Sequence, residues 1–438
     1  MSKKTIKNKR IYIGPCEIAG YYLNLTKGFK ELGFNVDYIT YKNHHFNYEK
    51  EINLPFLIKI VRFFNKFKNN NRNTFKRLLI ALPGDFFSFI WAVTAIFKYD
   101  VFIFGFGQSL LRYNLDLYIL KAFKKTVISN LAHGSEARPA YINGAIHEKC
   151  HQSSKSLIRE AKLSKKIISR HEKFASYIIG SPFSNSHFAS KKFINWFAIG
   201  IPSLNSRLSN LKINVKEKSN VIETVKILHC PSRPTSKGSN LIKRAISNLK
   251  NKGYDIEFKV IEGKSNSEVI EELKRCDFVV DQVFSDTPMA GFSAEAAFYA
   301  KPSVVGGYGL KQLTKLIPIK MIPPSKICDP DKIEKSIETL LINVNERILL
   351  GKMAQDFIMN DWNSINVAKR YIKIINGDIP ESWWIDPFKI FYFEGYGQTR
   401  EFTKRVVHNI IKNYGLKSLQ LNHNTKLEEA FSKFCNHK

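Results

Sequence analysis

Acids are scarce in this 438-residue chain: 38 Asp and Glu face 68 Lys and Arg, a formal net charge of +30. That balance points to anionic partners: nucleic acid, lipid headgroups or phosphorylated ligands. The six cysteines (16, 150, 230, 276, 328 and 435) form no CxxC pair. This sets zinc and redox motifs aside and fits a reducing cytoplasm. Long apolar runs are missing as well. The most apolar stretch, "FFSFIWAVTAIF" (86–97), falls short of the ~20 residues a membrane span needs, and it is expected as a buried helix. The N-terminal "MSKKTIKNKR" leads into a strand rather than a signal-peptide core. A Ser–His–Asp order, HExxH and GxxxxGK[ST] are absent, which leaves hydrolase, metalloprotease and NTPase readings unsupported. No nucleic-acid motif appears, so nucleic acid is not an expected partner.

What is present is globular and alternating. Hydrophobic residues make up 44%, and the length suggests two domains of about 150–200 residues. "RIYIGP" (10–15) reads as a strand, "YYLNLTKGFKELG" (21–33) as a helix ending at Gly33, and "FNVDYITY" (34–41) as the next strand. Together they form a βαβ unit. "DVFIFGF", "KTVISNLAHGS" and "ASYIIGSPF" continue the series. Residues 199–223 lose periodicity and read as a linker. A second series follows with strands "VKILHC", "IEFKVIEG", "DFVVDQV" and "KPSVVGG" and helices between them. The expected architecture is α/β, with two Rossmann-like doubly wound domains facing a cleft. The domains are 1–202 and 203–379, followed by a helical tail, 380–438, packing back on the first domain. The 56–79 stretch interleaves apolar and basic residues at helical spacing, the pattern of a helix lying on an anionic membrane surface.

In open α/β sheets ligands bind beyond the carboxyl ends of strands. After "VKILHC", Arg233 and Lys237 precede Gly238 and Ser239, which open a helix. Two cations beside a helix N-terminus suit a phosphate, although a solvated basic turn has the same composition. After "DFVVDQV" the loop holds Ser285, Asp286, Thr287, Ala290, Gly291 and Ser293, whose small side chains permit close approach to the backbone. Glu295 follows, either a ribose acceptor or a carboxylate complementing the helix dipole. In the first half, Gly14 and Gly20 flank a turn. "NLAHGSEARPAYINGA" (130–145) packs His133, Glu136 and Arg138 into one loop. A His there is able to orient a hydroxyl or stabilise charge, and Glu136 and Arg138 either pair or bind an acceptor sugar or phosphate.

"HCPSRPTSKGSNLIKRAISNL", "GYDIEFKVIEGKSNSEVIEELKRCDFVVDQ" and "MAGFSAEAAFYAKPSVV", in that order, resemble the nucleotide-sugar-binding domain of GT-B glycosyltransferases of the family 4 type. "IGPCEIAGYYLNLTKGFKELGFNVDYI" and "HGSEARPAYINGA" are similar to the same family's acceptor domain. The resemblance implies that Arg233 and Lys237 hold the donor diphosphate and that Glu295 binds the ribose. Amides near Ala290–Phe292 would face the sugar, His133 would lie near its reacting face, and the Gly14–Gly20 loop would close over donor and acceptor. It also implies a retaining transfer without a metal or other cofactor. Two departures stand out. Of the family's two Glu with seven residues between them, the first falls on Thr287, with Asp286 adjacent. The Arg-to-Lys spacing is also one residue short.

The expected function is transfer of a sugar from a nucleotide-sugar to a glycan or lipid-linked acceptor during capsule or lipopolysaccharide synthesis, at the cytoplasmic face of the plasma membrane. A non-catalytic GT-B-like subunit that binds a glycan or a partner enzyme is the alternative.

Overall fold

The computed structural model describes residues 7–42, 54–70, 74–147, 153–203 and 224–436. The expected linker lies mostly outside these residues. Two compact units emerge: 1–137 with 163–202 and 364–387, and 138–162 with 203–363 and 388–438.

The first unit is built on β1 (Arg10–Ile13), β2 (Asn35–Tyr38), β3 (Val101–Gly105), β4 (Thr126–Asn130), β5 (Tyr177–Gly180) and β6 (Phe193–Asn195). They form a parallel sheet in the order β6-β5-β4-β3-β1-β2, and Trp384–Ile385 adds an antiparallel edge strand to β6. Every residue of β3 is buried, as expected of a central strand covered on both faces. Helix α1 (Tyr21–Glu31) lies against the helix Ser364–Asn376. Gly28 allows that approach, because a Cβ there would run into the backbone of Ser364. Tyr21 and Tyr371 join their hydroxyls at 3.1 Å across the same contact. These contacts explain why 364–387 belongs with the first unit.

Helices α2 (Phe56–Asn70) and α3 (Thr74–Lys98) pack on each other. Phe64 stacks on Phe87, and Gly84 sits against the Phe64 Cβ. The 86–97 stretch was expected to be a buried helix, and the structure corrects this. It is the second half of a longer helix, and only one of its faces is covered. Trp91, Ala92, Ala95 and Ile96 enter the core beside Tyr12, Tyr99 and Phe102. Phe86, Phe89, Val93 and Phe97 face outward. An all-apolar composition hides this phase, because both faces carry similar residues.

The second unit repeats the pattern with β7 (Val225–His229), β8 (Ile256–Val260), β9 (Phe278–Gln282), β10 (Ser303–Gly306) and β11 (Lys326–Cys328). Its parallel order is β11-β10-β9-β7-β8. Successive strand residues point to opposite faces: Ile227, Phe278 and Val280 enter one core, Leu228 and Val279 the other. Helices α4 (Ser239–Asn251), α5 (Asn266–Arg275) and α6 (Gly291–Phe298) connect the strands. The tail helices Arg400–Tyr414 and Thr425–Asn436 belong to this unit, held by the Tyr141 hydroxyl on the Leu419 carbonyl and by Phe431 against the Tyr141 ring.

Candidate functional site

Both sheets reverse direction at one point, between β1 and β3 in the first unit and between β7 and β9 in the second. At such switch points the outgoing connections diverge to opposite faces and leave a crevice at the strand ends. The residues beyond β7 and β9 are therefore the first place to look in the second unit.

β7 ends at His229, fully buried. Its Nδ1 meets the Val280 carbonyl and its Nε2 meets the Ser239 hydroxyl, both at 2.7 Å. Burial lowers its pKa to about 4, so the neutral ring donates to the carbonyl and accepts from Ser239. It thereby ties the start of α4 to β9. The chain then runs through Arg233 into the helical turn Pro234–Lys237, and Gly238 adopts the left-handed conformation (φ 75°). A Cβ at Gly238 would press on Val283 at 2.8 Å, so this glycine is required for the turn and for close packing.

The side chains of the two cations expected to act together have different partners. Lys237 donates at 2.9 Å to Asp281, a wholly buried carboxylate at the end of β9. Burial pulls the Lys237 pKa down most strongly, but the Asp281 charge and hydrogen bond, together with nearby Tyr396 and Cys230, raise it overall. Asp281 also accepts from Ser293 in the first turn of α6 at 2.8 Å. Lys237, Asp281 and Ser293 thus form a closed knot between two loops. Arg233 is exposed. The one hydrogen bond of its guanidinium among the described residues is a long one, 3.4 Å, to the Ala145 carbonyl.

Asp286 and Thr287 also have specific tasks. Asp286 is buried and accepts from Arg138 at Nε (3.0 Å) and at a second guanidinium nitrogen. Arg138 in turn stacks over Tyr396 at 4.8 Å. Thr287 is spent on its own turn: its N–H donates to Ser285 Oγ and its hydroxyl to the Met289 carbonyl. These two residues, considered for the donor, and Arg138, considered for the acceptor, therefore hold the loop together. Ala290, at the N-cap of α6, offers no side-chain cap, and Gly291 is exposed. The first turn of α6 therefore has no side-chain cap from Ala290.

Glu295, half-buried, accepts from Asn266 Nδ2 at 2.9 Å on Oε1. Desolvation raises its pKa to about 7, and the Asn266 bond only partly opposes this. A carboxylate held half out of water with one donor has capacity for more, and the two hydroxyls of a diol would supply it. The segment around Tyr396 borders the same region: Gly397 N–H donates to the Phe284 carbonyl, and a Cβ on Gly397 would meet Ser236.

In the first unit, the turn between Gly14 and Gly20 carries a buried Glu17. Its carboxylate accepts the N–H groups of Ile18, Tyr22 and Leu23 and the Tyr38 hydroxyl. The N-terminus of α1, where a phosphate would otherwise bind, is filled by the chain's own carboxylate. Beyond β4, His133 Nε2 lies 2.8 Å from the Tyr22 hydroxyl, and burial lowers its pKa to about 3, so the ring is neutral. Glu136 accepts the His133 N–H at 2.8 Å. Gly105 makes room for Tyr22, since any Cβ there would collide with the Tyr22 ring.

The reading from sequence omitted Asp281, His229, Asn266 and Glu17. Asp281 was visible as a lone carboxylate inside an apolar strand. Nothing in the sequence marked Asn266.

No protein-family model matches the chain, and no curated protein matches it. Solved structures resemble it across most of its length. Sucrose-phosphate synthase from Thermosynechococcus elongatus is 12% identical, with 84% of this chain and 99% of that one covered, at a TM-score of 0.46. Anabaena HepE in complex with UDP and glucose is 11% identical over 84% and 100%, at 0.45. The spinosyn forosaminyltransferase SpnP is 10% identical over 84% and 100%, at 0.41.

Proposed function

We propose that this chain is a glycosyltransferase that uses a nucleotide-sugar donor and binds the nucleotide in its second unit. The observation that supports this most is the presence of an exposed Arg233 after β7 and an under-solvated Glu295 in α6 after β9, the two strands that flank one sheet's switch point. An arginine takes a diphosphate in bidentate fashion, and the uncapped first turn of α6 offers further N–H donors. Glu295 takes the ribose diol. Departure of a sugar from a diphosphate builds negative charge on the leaving group, and fixed cations and amides stabilise it without reorganising. In this reading Arg233 replaces a metal as the counter-charge. Lys237 acts from behind, by fixing the Asp281 knot that positions both loops.

The acceptor is assigned to the first unit, with neutral His133 as the group that orients a hydroxyl and Glu136 holding its loop. A glycan or lipid-linked acceptor in surface-polysaccharide synthesis, a retaining course and a cytoplasmic, membrane-peripheral site complete the proposal. One observation favours the alternative, a non-catalytic binding subunit: Lys237, Arg138 and Asp286 are all consumed by internal pairs.

Calorimetric titration with uridine and guanosine diphosphates, together with nucleotide-sugar hydrolysis, separates the two. The enzyme reading expects binding that weakens by about tenfold or more in Arg233→Ala and Glu295→Ala, the worth of one charge-assisted hydrogen bond. Diphosphate binding without turnover of any nucleotide-sugar would favour the subunit, and no binding at all would remove the nucleotide site.

A further inference from the structure

The exposed face of α3 is a continuous apolar stripe. Leu79, Leu82, Phe86, Phe89, Val93 and Phe97 are each at least 40% exposed, and their spacing of three and four residues places them on one side of a helix. The opposite side is fixed in the sheet core through Trp91, Ala92, Ala95 and Ile96. The helix Leu79–Lys98 is long and apolar enough to cross a bilayer by length and composition. With one face fixed in a folded core, however, it cannot stand in a bilayer alone. It can only present its outer face.

That face continues onto its neighbours. Phe97 touches Phe123 at 5.8 Å. On α2, Phe56, Phe63 and Phe67 are exposed, with exposed Lys59 and Lys66 among them. Across residues 56–98 the sequence holds eight Lys and Arg and a single acid, Asp85, which is paired with Arg112 at 3.1 Å. Aromatic and aliphatic side chains in the middle, cations along one flank and no free acid describe a surface that matches an anionic lipid interface, where rings enter the headgroup boundary and ammonium groups meet phosphates. A protein partner or a second copy would need acids opposite Lys59 and Lys66, and the chain's overall +30 charge opposes self-association.

We infer that α3 and α2 together form a monotopic docking face, in which the α3 stripe sits in the headgroup region of an anionic bilayer and the lysines of α2 contact its phosphates. The apolar α3, rather than the basic 56–79 stretch alone, supplies the insertion. This inference stands independently of the nucleotide site.

Flotation of the full chain with vesicles tests it. Wild-type protein is expected to float with phosphatidylglycerol-containing vesicles, to float less as salt screens the lysines, and to float weakly with phosphatidylcholine alone. Phe86→Glu/Phe89→Glu/Phe97→Glu is expected to lose about tenfold or more in partitioning while binding nucleoside diphosphate as wild type does. These side chains are solvent-exposed, and an unchanged melting transition checks the fold. The milder Phe86→Ala/Phe97→Ala pair is read in the same way if the triple variant misfolds. Failure of wild type to float at low salt overturns the inference. Equal flotation of wild type and variants also overturns it, as does a vesicle-independent dimer that the triple variant abolishes.

Discussion

Glu295 is where residue chemistry should be most visible. Its folded pKa of about 7 lies above the usual 4.5, so the folded state binds the proton more tightly than the unfolded chain. Stability should fall as pH rises from about 4.5 to 7 and then level off, and Glu295→Gln should flatten that part of a pH–Tm curve. Nucleotide affinity should move the opposite way, because in the proposed site the ionised carboxylate is the form that would accept both ribose hydroxyls. It should weaken as pH drops through 7 in wild type and change less in Glu295→Gln. Two other residues should separate structure from binding. Lys237→Ala strands buried Asp281 and should cost about 3–5 kcal/mol in urea unfolding, the usual penalty for breaking a buried pair. Arg233→Ala should leave stability within about 0.5 kcal/mol and act on binding alone. Their adjacency made the two cations look alike in sequence. Nothing in linear order shows that one of them faces a carboxylate 44 positions away.

At the scale of elements, β-strands were the most legible. Short apolar runs closed by Gly, Pro or Asp mark β1, β3, β7 and β9 within a residue or two, because central parallel strands are buried on both faces and tolerate little else. Helix α3 was misjudged for a related reason: counting apolar residues without resolving their phase treats a two-faced helix as a buried one. Contacts between elements were not legible at all. Gly28 reads as an ordinary weak point in α1, yet it is the seat of the helix Ser364–Asn376. Gly28→Ala should cost about 1–3 kcal/mol by overpacking, measurable as a lower Tm, and a smaller loss would mean that the helix pair can move apart. Gly105→Ala should do the same by displacing Tyr22 from His133.

For the whole molecule, removing everything from Trp383 onward takes the edge strand from the first unit and two helices from the second. It bares β6 and the Tyr141–Phe431 core. An aggregated product is expected on gel filtration, and a soluble, active truncation would contradict the packing described for the tail. The two-domain plan was legible as two runs of strand and helix divided near residue 203. What sequence order concealed is that each unit recruits distant segments, since recruitment depends on surfaces that exist only after folding.

The pairing of Trp384 with Ile194 has a consequence for the history of the chain rather than its final state. Synthesis proceeds from the N-terminus, and early domains ordinarily fold while the rest is being made. Here the first sheet lacks its last strand, and α1 its covering helix, until nearly nine-tenths of the chain has been synthesised. Closing a loop of that length is slow. During synthesis the first unit therefore waits with an open sheet edge and an uncovered helix face, a window in which a chaperone would shelter it.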